Sequence, residues 1–405
     1  MIKINMFKAG SGDCFLVQIS QEDKPPVNIM IDCGFNYKSN ILPYLKTLLK
    51  EQSINRFIIT HYDSDHIMGA ISFFNDNGLA NDPKIVKVEQ VWLNTFRHLQ
   101  FTKRNTEELE EGTKDQIKNY VSEIDANLNL EISEGNIGAK QAATLGKIIL
   151  ENEYPWNTDT NGKAVSIENL NEVNITNSVK LHLLSPNRER LENLEGEFIS
   201  KLSEMGLSPN EDVIFDDAFE LFNKAKGRRI ITEGNISSVK KIINSKTIKI
   251  FSKGDDYTKD DSFGNGSSIA FILETGNKKL LFLADAFAED IIDGLKKKYS
   301  DELDYPIFFD AVKISHHGSF NNNSTELFKI IDSNNFLFST NGKHPKHKHP
   351  DVETISCIIN RDLPEQITVR NLIFNYELEH LKDFNKLELK TEFNYEIKIQ
   401  VATEI

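Results

Sequence analysis

Residues 58–69, Ile-Ile-Thr-His-Tyr-Asp-Ser-Asp-His-Ile-Met-Gly, constrain this chain more than any other stretch. Phe57, Ile58 and Ile59 form a short apolar run of the kind that makes a buried strand. Four metal-ligand side chains follow within six residues: His61, Asp63, Asp65 and His66. His61 and Asp63 alternate with Tyr62 and Ser64, so an extended turn directs both the same way. Ile67-Met68-Gly69-Ala70 then reads as the start of a helix. The plain alternative is an acidic helix cap with incidental histidines. It is the weaker one, because four such groups crowded at a strand end need a compensating partner. Two imidazoles and two carboxylates suit zinc, manganese or iron better than calcium or magnesium.

The same pairing of apolar run and ligand recurs along the chain. Asn28-Ile29-Met30-Ile31 delivers Asp32. Ile269–Leu273 and Lys279–Leu283 flank the hairpin signal Gly276-Asn277, and the second strand ends at Asp285. Ala311–Ile314 ends in Ser315-His316-His317-Gly318-Ser319. Phe336–Ser339 leads to Lys343, His344, Lys346, His347, Lys348 and His349, with Pro350 suited to open a helix from Asp351 to Ile359. Strand ends on one edge of an α/β sheet gather residues distant in sequence into one crevice. Seven of the ten histidines fall in the central motif, the 316–317 pair and the 344–349 loop, which a random scatter would rarely produce.

The central motif resembles the His-x-His-x-Asp-His signature of metallo-β-lactamase-fold hydrolases, with Asp63 in place of the second histidine. That variant, together with His-His-Gly-Ser at 316–319, is similar to the ComEC-type DNA-uptake nuclease branch. The resemblance implies an α/β fold, a metallo-β-lactamase-like αββα sandwich. It implies two divalent transition-metal ions, zinc or manganese. His61 and Asp63 would hold one, Asp65, His66 and His349 the other, with Asp285 bridging. It also implies supporting roles for Asp13 in the turn Gly10-Ser11-Gly12-Asp13, for Asp32 and for Asn265. Asp65, His316 or His317 would handle the nucleophile and the leaving group; which of the two histidines is functional stays open. The isolated histidine that the family places before the bridging aspartate is not evident, since only His98 and His182 lie in that interval. The loss of imidazoles shifts metal preference toward harder ions such as manganese.

Length and composition set the frame. The chain has 405 residues, 47 basic and 61 acidic, for a net charge of −14. That charge disfavours broad adhesion to nucleic acid or anionic membrane. Cys14, Cys33 and Cys357 have no paired spacing and read as buried small hydrophobes in a reducing cytoplasm. Neither a targeting segment nor a membrane-spanning apolar run is visible. One metallo-β-lactamase-like domain is expected over 1–405, with an inserted, mainly helical elaboration or lid at 101–226. Within that insertion, helices are predicted over 106–130, 139–153 and 188–205, and a strand over 179–184. A strand is also predicted over 88–94, and two or three strands over 367–374 and 387–401 together.

The function expected is hydrolysis of a phosphodiester by water activated at a dinuclear site. Lys343, Lys346 and Lys348 form a cationic loop suited to a phosphate. An acidic protein with one such loop suits single strands, short oligonucleotides or nucleotides better than long duplex. The competing readings are a hydrolase of small carbonyl esters, lactones or thioesters, and a non-catalytic binding or regulatory module that retains the fold. ComEC-like hydrolases also accompany bacterial defence operons, so a protein partner from such a system is a further expectation.

Overall fold

A computed structural model describes residues 1–99, 145–204, 241–300, 305–344 and 348–405. Among these residues the chain builds two mixed sheets. The first runs in the spatial order Ala402–Glu404, Ile2–Met6, Phe15–Gln21, Lys24–Ile31, Arg56–Ile58, Val91–Trp92. Its first three pairings are antiparallel and its last two parallel. The second runs Tyr395–Ile399, Arg370–Phe374, Asn335–Phe338, Ala311–Lys313, Lys278–Phe282, Ala270–Thr275, Val179–Ser185, Glu172–Thr176.

Side-chain alternation explains how these sheets stack. Successive residues of a strand face opposite sides, and here both sides are apolar. Ile58, Phe271 and Phe282 meet between the sheets. Phe57 and Ile59 instead face the helix Ser64–Asn77, which contributes Ile67, Ala70, Phe73 and Phe74. Ile272, Leu281, Val312 and Phe336 face Ala288–Lys298, Thr325–Ile330 and Val352–Ile359 on the far side. Three apolar layers separate four layers of secondary structure, which is the αββα order expected of the chain. Fully burying one such side chain stabilises by about 1.5–3 kcal/mol, so register is strongly enforced: a one-residue slip would exchange the two faces of a strand.

Three expectations change. The 101–226 stretch was expected to be a mainly helical elaboration. Its described part bears out the strand predicted over 179–184, as Val179–Ser185, and adds the unpredicted strand Glu172–Thr176 beside it in the second sheet. The helices predicted within 106–130 and before Leu145 lie outside the described residues, while Leu145–Glu151 and Arg188–Glu204 are helical. The 387–401 stretch, expected to be strand, is strand only over Tyr395–Ile399. Leu387–Phe393 is a helix, because Leu389 and Phe393 bury one face at i, i+4 and Asn394 ends it in the left-handed conformation. Finally, 88–94 divides at Gln90: Lys87–Val88 pairs with Ser53–Ile54, and Val91–Trp92 joins the first sheet. Among the described residues no helix is long and apolar enough to cross a membrane.

A buried ion network pins the rear of the second sheet. The fully buried Arg370 guanidinium donates to both Asp332 oxygens at 3.0 and 2.6 Å and to the carbonyls of Arg361 and Asp362. Arg361 adds a third hydrogen bond to Asp332 at 3.1 Å. Removing one partner of such a pair leaves an uncompensated buried charge. Asp332→Ala is therefore expected to cost about 3–5 kcal/mol, read as a lower urea midpoint at an unchanged slope.

Candidate metal centre

The site forms where strand ends of the two sheets meet. Asp32 follows the Lys24–Ile31 strand and takes φ 54°, outside the extended region. Its carboxylate accepts from Thr60 N at 2.7 Å and Thr60 Oγ1 at 2.8 Å, and lies 2.8 Å from His66 Nδ1. These bonds turn the chain after Ile59 into the helix that begins at Ser64, with Asp63 at its N-cap. The glycine turn before the second strand completes the seating. Asp13 N donates to Asp65 O at 3.2 Å and Gly34 N to Asp13 O at 2.9 Å. A Cβ on Gly12 or Gly34 would overlap the Asp65 carbonyl, so both positions require the absence of a side chain.

From the second sheet come Asp285, His316 and His317. Ala284, His316 and His317 all adopt left-handed backbone conformations, with φ of 48°, 45° and 52°. Each costs a non-glycine residue about 1–2 kcal/mol. Strain of this kind persists where surrounding structure over-determines it and gathers at functional sites. Here it splits the adjacent histidines, sending the His317 ring into the interior while His316 stays 28% exposed.

Asp285 is the hub. Its Oδ2 lies 3.8 Å from His61 Nε2, 3.4 Å from His66 Nε2, 3.8 Å from His316 Nε2 and 4.0 Å from His317 Nε2. Asp63 Oδ2 stands 3.8 Å from His61 Nε2, and Asp65 Oδ2 3.1 Å from His317 Nε2. Ligand atoms about 2.0–2.1 Å from one ion in tetrahedral array sit roughly 3.4 Å apart. The spacings around Asp285 are of that order, too long for most of them to be direct hydrogen bonds. His61 Nε2 and His66 Nε2 are buried without a hydrogen-bond partner, as is Asp285 Oδ1. Orphaned buried imidazoles aimed at a carboxylate fit a cation between them. Among the described residues three sets of three potential ligands emerge: His61, His66 and Asp285; Asp65, His66 and His317; and Asp13, Asp32 and His66.

Charge supports the same reading. Burial alone would strip the proton from these imidazoles, yet Asp285, Asp32 and Asp65 hold the His66 pKa well above its ordinary value. Burial likewise opposes charge on His317, but Asp13 and Asp285 raise it to about 10. Burial pushes Asp65 and Asp285 upward, and the neighbouring imidazoles more than reverse it, so both stay ionised well below the usual carboxylate range. The carboxylates of the cluster therefore favour positive charge among them. Orientation is also built in: His66 Nδ1 faces Asp32, and His317 Nδ1 donates to Ser339 O at 2.8 Å with Asp13 Oδ1 at 3.2 Å. Both rings thereby present Nε2 to the centre, the role that outer partners play around metal-bound histidines.

The residues expected from sequence distribute as follows. His61, Asp63, Asp65, His66, Asp285, His316 and His317 converge. Asp13 and Asp32 stand directly behind imidazoles. Asn265 lies farther out, donating to Asp260 Oδ2 at 2.6 Å and reaching within 3.3 Å of His316 Nδ1. It is His317, expected to handle the nucleophile or leaving group, that joins Asp65 and His66. His349, expected in that ligand set, lies outside all three sets. Its ring centroid is 5.3 Å from that of His316, and its Nδ1 is 3.5 Å from Asp351 Oδ1. Lys343 and Lys348 are exposed on the same loop, and Lys346 lies outside the described residues. The loop is tied to the site through Asn341 N to Gly10 O and Asp351 N to Gly318 O. His182 stands apart on a strand of the second sheet, where burial lowers its pKa to about 4.

Lys313 was not anticipated. Its ammonium is buried, ion-paired with Asp13, 3.0 Å from Ala284 O and 3.7 Å from Asp285 Oδ1. It sits two residues past Ala311 on the face between the sheets, and a lysine in a strand facing an apolar core was the available signal.

No family model matches the sequence, and no curated protein matches it. Comparison with solved structures finds the metallo-beta-lactamase fold protein YhfI from Bacillus subtilis, 8% identical over 100% of both chains with a TM-score of 0.34.

Two outcomes are expected. Gly34→Ala forces the Asp65 carbonyl away and should reduce metal uptake, measured by elemental analysis after dialysis against zinc or manganese. Asp285→Asn and His61→Ala should each bind less metal than wild type while keeping the far-ultraviolet circular dichroism spectrum. Full metal content in both would remove the cluster from consideration as a metal centre.

Proposed function

We propose that this chain is a metal-dependent hydrolase of the metallo-β-lactamase type whose substrates are phosphodiesters. The observation that carries the reading is the ring of imidazole Nε2 atoms around Asp285 Oδ2. His61, Asp63 and Asp285 would hold one ion, and Asp65, His66 and His317 a second, with Asp285 shared. Divalent ions so held lower the pKa of water and offset negative charge on a phosphoryl oxygen.

The chain's own residues set up the rest. Asp32 and Ser339 O fix His66 and His317 so that neither ring rotates away from the centre. Lys313 balances part of the carboxylate charge from beneath, without reaching solvent. His316 is the partly exposed imidazole next to Asp285 and is placed to carry a proton between water and the leaving oxygen. Lys343 and Lys348 are exposed on the adjoining loop, where an ammonium can meet a phosphate as a point charge. A net charge of −14 elsewhere favours short or single-stranded nucleic acid, or nucleotides, over long duplex. The ComEC-type nuclease reading from the motif agrees with this substrate class.

The test is a substrate panel with zinc- and with manganese-loaded protein: bis(p-nitrophenyl) phosphate, a labelled single-stranded oligonucleotide, a lactone and a thioester. Turnover of the phosphodiesters is expected. Replacing Lys343, Lys346 and Lys348 together by alanine should lower kcat/KM for the oligonucleotide roughly ten- to a hundredfold, at about 0.5–1 kcal/mol per charge removed. It should also flatten the salt dependence. Turnover of lactone or thioester with none of phosphodiester would replace this reading by a carbonyl hydrolase.

A further inference from the structure

His316 differs from the other imidazoles of the cluster in what stands behind it. His316 Nδ1 lies 2.8 Å from Asn322 Oδ1. The Asn322 amide is itself held by two donations from Nδ2, to Asp260 Oδ2 at 2.8 Å and to Asp285 O at 3.1 Å. Both acceptors are oxygens, so the amide cannot turn over without setting an oxygen against each of them. Its own Oδ1 is thereby committed to His316 as an acceptor, and Nδ1 must carry the proton. Asn265 Nδ2 approaches the same nitrogen, but at 3.3 Å, while donating at 2.6 Å to Asp260 Oδ2. The shorter, doubly anchored Asn322 contact decides the tautomer.

Asp260 is fully engaged in this role. Its Oδ2 takes both amides and its Oδ1 accepts from Ser262 N at 2.9 Å. The backbone adds a tie from Asp260 N to Asn321 O at 3.2 Å. The chain therefore runs from carboxylate through amide to imidazole, and it ends at a Nε2 facing Asp285 across 3.8 Å. Its logic is that of a carboxylate orienting a catalytic histidine, here with a carboxamide interposed.

We infer that Asp260, acting through Asn322, is a positioning residue that locks His316 in the Nδ1–H form, so that Nε2 is the proton-exchanging atom offered to substrate. This rests on the hydrolase reading for the identity of the substrate, but the tautomer does not. Fixing the tautomer makes Nε2 an acceptor for a proton of the attacking water, and the same atom then returns that proton to the leaving oxygen.

The experiment uses the full chain with 15N-labelled histidine, without metal and with zinc. Long-range proton–nitrogen correlation spectra report the tautomer, and His316→Gln assigns the signal. Wild type is expected to show the Nδ1–H pattern. Asp260→Asn would set an N–H against two amide donors, and Asn322→Ala removes the acceptor. Each should redistribute His316 toward Nε2–H. With bis(p-nitrophenyl) phosphate, each should lower kcat about ten- to a hundredfold, with KM within twofold and metal content unchanged. Asn322→Ala gives an independent reading should Asp260→Asn fold poorly. An Nε2–H signal in wild type, or an unchanged Nδ1–H signal in both variants, overturns the inference. Wild type in the Nδ1–H form with no hydrolysis overturns the proposed function and leaves the positioning chain standing.

Discussion

The carboxylate of Asp32 is the contact on which the arrangement depends. It receives the backbone and hydroxyl of Thr60 and faces His66 Nδ1. One side chain thus joins the end of one strand, the exit of the next and the first turn of the Ser64–Asn77 helix. That explains why a left-handed backbone is tolerated at Asp32. The hydrogen bonds it makes are buried and partly charge-assisted, each stronger than an exposed equivalent. His61, Asp65 and His66 take their places because the turn between them has no freedom left.

Charge compensation then organises the second rank. Asp13, Asp65 and Asp285 are crowded with His66, His317 and Lys313, and each is shifted by its neighbours, while Asp32 is hydrogen-bonded among them. Burying such groups singly would be prohibitive. Together they make a cluster in which the carboxylates favour positive charge, with one fixed ammonium below. Replacing Lys313 with an apolar residue would leave Asp13 and Asp285 facing each other's charge, so the lysine belongs to the site although it meets no solvent.

Much of this was legible in sequence for a physical reason. An apolar run that ends in a ligand can be read locally, and Asp32, His61, Asp285 and His317 all follow such runs. The stacking of two sheets was expected only from the motif's resemblance to metallo-β-lactamase-fold hydrolases; the apolar runs agree with it, since strands apolar at successive positions must be covered on both faces. What could not be read were groups defined by remote partners. Asp260 and Asn322 look like loop residues until the fold brings them within hydrogen-bonding distance of each other. Nor does spacing say which of two adjacent histidines turns inward, because that is set by positive φ at both. The Leu387–Phe393 segment was misread because alternating Leu387 and Leu389 imitate a strand, whereas burial selects Leu389 and Phe393.

The two sheets contribute opposite halves of one centre: residues 13, 32 and 61–66 from the first, 285, 316 and 317 from the second. The seam between them is otherwise apolar, apart from ties such as Ile269 N to Thr60 O at 3.0 Å. A cation bridging those halves would act as a cross-link across the sandwich. Each half alone supplies only part of the ligand set, so full occupancy would report that the sheets have docked. By mass action an ion at a thousand times its dissociation constant adds about 4.1 kcal/mol to the folded state. That is a sizeable share of the marginal stability of a typical protein, and it would make metal supply a determinant of how long the chain resists unfolding, independent of turnover.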